Sequence, residues 1–145
     1  MEISQLQEQE IADFQSLIQI FKEVFEHKDQ LPGNEHLQKL LTDPDFIVFV
    51  VRSEGKVVGG LTIYVLHQYY SVKPLAYIYD VGIAPEFQRQ GLGKKLISAV
   101  ADFCSENGFE QAFVEAESDD ADAISFYKTT CFNSKIEATH FVYSL

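Results

Sequence analysis

Cations are scarce in this 145-residue chain: 11 Lys and Arg stand against 22 Asp and Glu, a net charge of −11. So large an acidic excess argues against nucleic acid as a partner, because phosphate backbones reward cationic surfaces. A cationic small molecule fits the charge, and so does plain solubility, and composition leaves both open. Cysteine is equally sparse. Only Cys104 and Cys131 are present, and one lies in a helical pattern, so a structural disulfide is not expected. No apolar run approaches the ~20 residues that a membrane helix requires. The start, Met1-Glu2-Ile3-Ser4-Gln5, lacks the basic and apolar regions of a signal peptide. Internal repeats, low-complexity tracts and linkers are absent too. The expectation is one cytoplasmic domain over residues 1–145 with no membrane partner, and 46% hydrophobic residues supply a single core.

The apolar periodicity then sets out the elements. Residues 2–7 read as a first strand. Ile11, Phe14, Leu17, Ile18, Phe21, Val24 and Phe25 recur at spacings of 3 and 4, which marks a helix over 11–25. Leu31-Pro32-Gly33-Asn34 breaks the chain before a short helix over 35–41. The nearly continuous apolar run from Phe46 to Arg52 is a buried strand. Ser53-Glu54-Gly55-Lys56 turns it into an antiparallel partner over 57–66. Pro74 opens the next strand, 75–83, and Leu92, Leu96, Ile97, Val100 and Phe103 share one face of a helix that Asn107-Gly108 stops. A strand over 111–117, a helix over 120–130 and a final strand region over 135–143 complete the order β-α-α-β-β-β-α-β-α-β. This is an α/β chain with a mixed sheet and helices on both faces.

The most informative stretch is Val81-Gly82-Ile83-Ala84-Pro85-Glu86-Phe87-Gln88-Arg89-Gln90-Gly91-Leu92-Gly93-Lys94-Lys95. A strand leads into a Gly-rich loop that opens an amphipathic helix. The first amides of a helix lack intrahelical partners and the dipole there favours an anion, so this is a place to hold a pyrophosphate. Arg89, Lys94 and Lys95 make it a local cationic exception. Two familiar phosphate loops fail to match. The mononucleotide pattern finds Glu86 five positions before Gly91 and Lys95 after Lys94, and the dinucleotide fingerprint finds Leu96 at its third glycine.

What remains, Gln88-Arg89-Gln90-Gly91-Leu92-Gly93 after an apolar strand, resembles the Q/R-x-x-G-x-G/A signature of the GNAT superfamily of acyl-CoA-dependent N-acyltransferases. The element order resembles that of the GNAT fold over nearly the whole chain, which implies a mostly antiparallel sheet of six to seven strands. Further on, Asp120-Ala-Asp-Ala123-Ile-Ser-Phe126-Tyr127-Lys-Thr-Thr-Cys131-Phe132 is similar to the family pattern N-x-x-A-x-x-F/L-Y-x-x-x-G-F. Asp120 and Cys131 replace its Asn and Gly. Asp120 is therefore open to two readings, a cofactor contact and a plain helix N-cap.

The resemblance implies acetyl-CoA as cosubstrate, without a metal, and a direct transfer through a ternary complex. It places cofactor contacts on Val81, Gly82, Ile83, Gln88, Arg89, Gln90, Gly91, Leu92, Gly93, Lys94, Asp120, Ala123, Phe126 and Tyr127. The Val81 N–H would receive charge developing on the acyl oxygen, and the Tyr127 hydroxyl would protonate the leaving thiolate. A core role for Tyr127 beside Phe126 is the competing reading. Acyl transfer to an amine also needs a base, since on the order of one lysine-like amine in a thousand is neutral at pH 7. Asp80 interrupts the apolar run Tyr77-Ile78-Tyr79-Asp80-Val81 and is the candidate. A period of two turns Ile78, Asp80 and Gly82 one way and Tyr77, Tyr79, Val81 and Ile83 the other. Glu115 and Glu117 would share a strand face.

Val58-Gly59-Gly60-Leu61, Tyr77-Ile78-Tyr79-Asp80-Val81, Glu117-Ser-Asp119-Asp120 and Thr139-His140-Phe141 resemble the aminoglycoside 3-N-acetyltransferase branch. This implies a homodimer, a role in antibiotic resistance, and Asp80, Glu115, Glu117 and Asp119 around a polyamino substrate. Two alternatives stay open: a GNAT enzyme acting on another amine (a polyamine, an amino acid or a protein N-terminus), and a non-catalytic acyl-CoA-binding module.

Overall fold

The computed structural model describes all 145 residues, which form two compact units, Met1–Glu115 and Ala116–Leu145. The first unit holds β1 (Glu2–Gln5), α1 (Ile11–Val24), α2 (Asn34–Thr42), β2 (Phe46–Ser53), β3 (Lys56–Leu66), β4 (Leu75–Ile83), a 3-10 turn (Pro85–Phe87), α3 (Leu92–Glu106) and β5 (Gln111–Val114). The second holds α4 (Ala121–Lys128). The sheet has five strands in the order β1-β2-β3-β4-β5, antiparallel except for the parallel pair β4–β5. The expected order is reproduced up to α4. The count of six to seven strands is not: residues 135–143 form no strand, and β5 stops three residues short of Glu117.

Strand β2 explains how one sheet serves two cores. It is apolar on both sides, so alternate residues feed opposite layers. Phe46, Val48 and Val50 join Phe14, Leu17 and Phe21 of α1 and Leu37 of α2. Ile47, Phe49 and Val51 join Leu92, Leu96 and Val100 of α3. Each fully buried aliphatic side chain here contributes roughly 1.5–3 kcal/mol, and burial on both faces makes the register of β2 costly to shift.

Helix α1 sits close on the sheet because it crosses a pair of glycines. Gly60 and Gly82 are register partners on β3 and β4. A Cβ at Gly60 would collide with the Phe49 carbonyl oxygen and approach Leu17 Cδ1 to 2.9 Å, and one at Gly82 would meet Phe21 Cδ1 at 2.9 Å. Nearby, the Arg52 guanidinium joins three elements. It reaches Ser4 Oγ at 2.6 Å, Glu10 Oε1 at 2.9 Å and Asp13 Oδ2 at 2.6 Å while remaining mostly buried.

Both cysteines are free thiols. Cys104 is part of the core under α3, where burial lifts its pKa to about 11. No helix is long and apolar enough to cross a membrane.

The glycine pair yields a stability prediction. Gly60→Ala forces its methyl against the Phe49 backbone, which cannot swing aside as a side-chain end could. Unfolding in denaturant should show a loss of about 1–3 kcal/mol, the range for overpacking. An unchanged midpoint would show that α1 can lift from the sheet at no cost.

Candidate active site

Strand β4 carries the site because its two neighbours treat it differently. On one side it pairs with β3 from Leu75 to Ile83. On the other, pairing with β5 covers only Leu75↔Gln111 to Ile78↔Val114 and then ends. The segment from Tyr79 to Ile83 therefore has one bonded edge and one open edge. The amide of Ala84 donates to Val58 O at 2.8 Å, on the β3 side. Amides alternate along an antiparallel strand, so Gly82 also points to β3, while the Val81 and Ile83 amides point to the open edge. That direction is what the expected role of Val81 requires.

A register shift in the same strand corrects the strict period of two. Leu61 pairs with Val81 but Ile63 with Ile78, so β4 holds one extra residue between these pairs. Ile78, Val81 and Ile83 consequently all face the α3 core. Tyr77 and Tyr79 stay on the α1 side, with ring centroids 5.6 Å apart. The Asp80 amide donates to Thr62 Oγ1 at 3.3 Å in place of a ladder bond. Its carboxylate shares the surroundings of Tyr64, Tyr77 and His27, so Asp80 joins the tyrosines that simple alternation would have set against it. Burial raises the Asp80 pKa above the ordinary carboxylate value, and the charge of His27 partly opposes the shift.

The bulge thus assembles a wall of rings that sequence reasoning missed. Tyr64 and Tyr79 meet edge to face at 5.4 Å, and Tyr77 stacks on Phe113 at 4.7 Å and 13°. The Tyr77 hydroxyl donates to Glu115 Oε2 at 3.1 Å. Desolvation, followed by this bond to a carboxylate, raises the Tyr77 pKa, so the phenol stays protonated. Tyr79 is 54% exposed and Tyr64 39%, leaving ring faces open beside two carboxylates. Such a surface suits a cation, which aromatic faces attract as well as carboxylates do. The only available signal was Tyr at alternate positions 77 and 79, which reads equally well as ordinary strand composition.

At the far end of β4 lies the loop. The Gln88 amide donates to Pro85 O at 3.2 Å and its Nε2 to Ile83 O at 2.9 Å. Gln88 therefore clamps the loop to the strand, and its own amide is committed to Pro85 O. Beyond it, the amides of Arg89 to Lys94 donate to no acceptor in the chain; the first bond of α3 runs from Lys95 N to Gly91 O at 3.1 Å. Arg89 (φ 60°) and Gly91 (φ 79°) both adopt the left-handed conformation, which lets these amides change direction within three residues. Nothing lies within 4 Å of where a Gly91 Cβ would be. Helix α3 has no side-chain cap and no acid in its first turn, and it carries Lys94 and Lys95 there. Cations at a helix N-terminus are unfavourable by roughly 0.3–1 kcal/mol each. An anion at the bare amides removes that penalty, so the residues present fit a pyrophosphate.

The second unit supplies the other motif. The Asp120 carboxylate accepts from Ala123 N at 3.0 Å, which settles its capping role in α4. Phe126 and Tyr127 are half-buried, with rings 5.0 Å apart. Glu117 and Asp119 lie in the exposed turn before α4, where a shared strand face with Glu115 no longer applies because β5 has ended. Cys131 is exposed, and neither it nor its neighbours takes the positive φ that the family's Gly implies.

Known proteins resemble this chain in sequence and in fold. The chain is similar to an aminoglycoside acetyltransferase from an uncultured soil metagenomic sample, solved in complex with sisomicin: 49% identity, TM-score 0.97, covering 99% of this chain and 95% of that one. A second aminoglycoside acetyltransferase from such a sample gives 26% identity and a TM-score of 0.91, over 99% and 97%. An uncharacterized N-acetyltransferase, YhfO of Bacillus subtilis (strain 168), is 24% identical over 142 residues, 97% of this chain and 95% of that protein. The pattern of the Acetyltransferase (GNAT) family matches residues 14–131. With the open β4 edge and the bare helix start in place, the chain belongs to the GNAT acetyltransferase family and is an N-acetyltransferase.

Proposed function

We propose that this enzyme moves the acetyl group of acetyl-CoA directly onto a primary amine of a small polycation of the aminoglycoside type. The observation that carries the reading is a polarity within the first unit. A cradle of bare amides and lysines stands at one end of the open β4 edge, and an aromatic, acidic surface stands at Asp80. Asp80 is three residues from Ile83, the residue to which Gln88 clamps the loop, or about 10 Å along a strand. The 49% identical neighbour that was crystallised with sisomicin supports an aminoglycoside as acceptor. The family match over 14–131 spans both units, which supports one acetyltransferase domain over 1–145.

Acetyl-CoA supplies an activated acyl carbonyl and a thiolate leaving group; the chain must hold, orient and manage protons. The amides of Arg89 to Lys94, with the Arg89 and Lys94 cations, hold the pyrophosphate, and Val81, Gly82 and Ile83 line the edge towards the carbonyl. The Val81 N–H stabilises the charge that develops on the carbonyl oxygen. Asp80 takes the amine proton, directly or through water. Burial suits it to this task, because a carboxylate with a raised pKa is a stronger base. Glu115 and the Tyr64, Tyr77 and Tyr79 rings hold other ammonium groups. The roles in the second unit rest on the resemblance: Tyr127 as the acid for the thiolate, Asp120, Ala123 and Phe126 as cofactor contacts, and Glu117 and Asp119 as substrate carboxylates.

A turnover screen with acetyl-CoA, reading free thiol against aminoglycosides, polyamines and peptides, tests the reading. The expected result is a preference for aminoglycosides that weakens with salt, because rim charges steer a polycation only while unscreened. Mass and NMR analysis of the product identifies the nitrogen, expected at the 3 position, and cells making the protein should survive higher aminoglycoside doses. Preference for a peptide or monoamine without salt dependence would overturn the polycation.

Two substitutions separate chemistry from structure. Tyr127→Phe keeps the ring and removes the proton source, so kcat should fall about 10–10³-fold with little change in Tm. A drop in Tm with kcat intact would make Tyr127 a packing residue.

Asp80→Asn should lower kcat and push the pH optimum upward, where more amine is already neutral. Its stability should move the other way. Burial raises the folded pKa above the unfolded one, so the wild-type fold loses stability as pH rises through it. The variant should therefore melt higher than wild type at pH 7, with the difference vanishing towards pH 4. Equal melting across that range would show that the Asp80 carboxylate carries no desolvation cost.

A further inference from the structure

One side chain acts on Asp80 from outside the sheet, and the proposed mechanism gives it no role. His27 follows the end of α1 in a turn that is fully hydrogen-bonded. The Glu26 amide donates to Glu23 O at 3.3 Å and the His27 amide to Lys22 O at 3.0 Å. These paired bonds close a helix through one left-handed residue. Here that residue is Glu26, at φ 55°, where glycine would be the unstrained choice. The turn thus holds His27 in one place at the cost of backbone strain.

Rings fix where that place is. Phe21 and Phe25, 5.4 Å apart, lie over Gly82, which has no side chain to keep them off. A Cβ there would stand 2.9 Å from Phe21 Cδ1 and 3.8 Å from Phe25 Cζ. The His27 ring packs edge-on against Phe25 at 5.9 Å and 66°. The imidazole is thereby set beside β4 two residues past Asp80, exposed to solvent while Asp80 is half-buried. His27 is the cation that acts on the Asp80 carboxylate.

We propose that His27 is a positioning residue for the transfer: its imidazolium balances the Asp80 charge before the acceptor binds and yields that place to an acceptor ammonium group. The inference rests on the reading of Asp80 as a base within a cation site. Two cations are not both favoured at one carboxylate. Acceptor binding therefore expels the imidazole proton, and by reciprocity a lower pH weakens acceptor binding. Imidazole is the side chain that ordinarily changes charge between pH 5 and 8. The other groups around Asp80 do not supply this exchange. The phenols of Tyr64 and Tyr77 have raised pKa values and stay neutral, and Glu115 accepts from the Tyr77 hydroxyl. Lys22, Glu23, Glu26, Lys28 and Asp29 flank His27, and α2, which packs on α1, carries Glu35, His36 and Lys39; none of these acts on the Asp80 carboxylate.

The test uses His27→Gln, which keeps the backbone amide of the turn and removes the titrating ring, with His36→Gln as control. In the acceptor-free protein at low salt, the carboxyl carbon signal of Asp80 should titrate about 0.2–0.7 higher in pH in His27→Gln than in wild type, the size for one exposed charge pair. From pH 8 down to 5.5, the acceptor KM of wild type should rise about 2–5-fold more than that of His27→Gln, with the acetyl-CoA KM alike in both. The acceptor's own amines titrate equally in the two assays, so the difference reports His27. His27→Lys, permanently charged, should restore the lower Asp80 titration and keep the acceptor KM high at pH 8. An Asp80 titration unmoved in folded His27→Gln, or moved as far by His36→Gln, overturns the role of His27 whatever the acceptor. A titration that moves while the acceptor KM keeps its wild-type pH dependence overturns the exchange and puts the acceptor away from Asp80. That outcome is a failure of the proposed acceptor site and not of the His27–Asp80 pair.

Discussion

Everything at the site depends on where hydrogen bonding between β4 and β5 stops. The pairs end at Ile78 and Val114, while β4 runs on to Ile83 with only β3 beside it. Were the ladder continued, the outward amides of Val81 and Ile83 would be consumed by β5. Its early end leaves donors of fixed direction on a strand held rigidly from the other side. The pairing with β3 also contains the bulge that turns Asp80 towards the tyrosines. One irregularity on each side of a strand thus creates an oriented donor row and a placed acid.

Charge divides the same strand. In a chain with twice as many acids as bases, Lys94 and Lys95 crowd a helix start that already carries the positive end of its dipole. Their placement, with Arg89 in the loop before them, raises the local potential at the bare amides. At the Asp80 end the carboxylates of Asp80 and Glu115 stand among ring faces, the opposite preference. The proposed transfer, from an anionic donor to a cationic acceptor, uses both surfaces, one beside the other.

Such arrangements cost stability, and the fold supplies it away from the site. The α1-side layer of β2, the close seating of α1 on Gly60, and the mostly buried Arg52 with its acids all lie on β1, β2 and β3 or under α1. Burying Asp80 and leaving six amides without acceptors are tolerable only because this scaffold over-determines the position of β4.

Much of this was legible in residue order. Period and punctuation mark helices and strands locally, so α1, α2, β2 to β4 and α3 fall within a residue or two of where their apolar patterns put them. The Gly91-Leu92-Gly93 loop and the Asp120 cap were equally legible, since both are contacts between chain neighbours. What failed was non-local. Whether 135–143 becomes a strand depends on a free edge, not on its own apolar content. The side to which Asp80 turns depends on how β4 registers against β3, where one extra residue reverses simple alternation. The ring wall of Tyr64, Tyr77, Tyr79 and Phe113 is likewise decided by neighbours brought together in space. The sequence by itself determined most of the elements, the Asp120 cap and the Gly-rich loop before α3, because these rest on interactions a few residues apart. Only the tertiary structure decided which edge of β4 stays open and which side chains face it, because strand register is a property of pairs of strands.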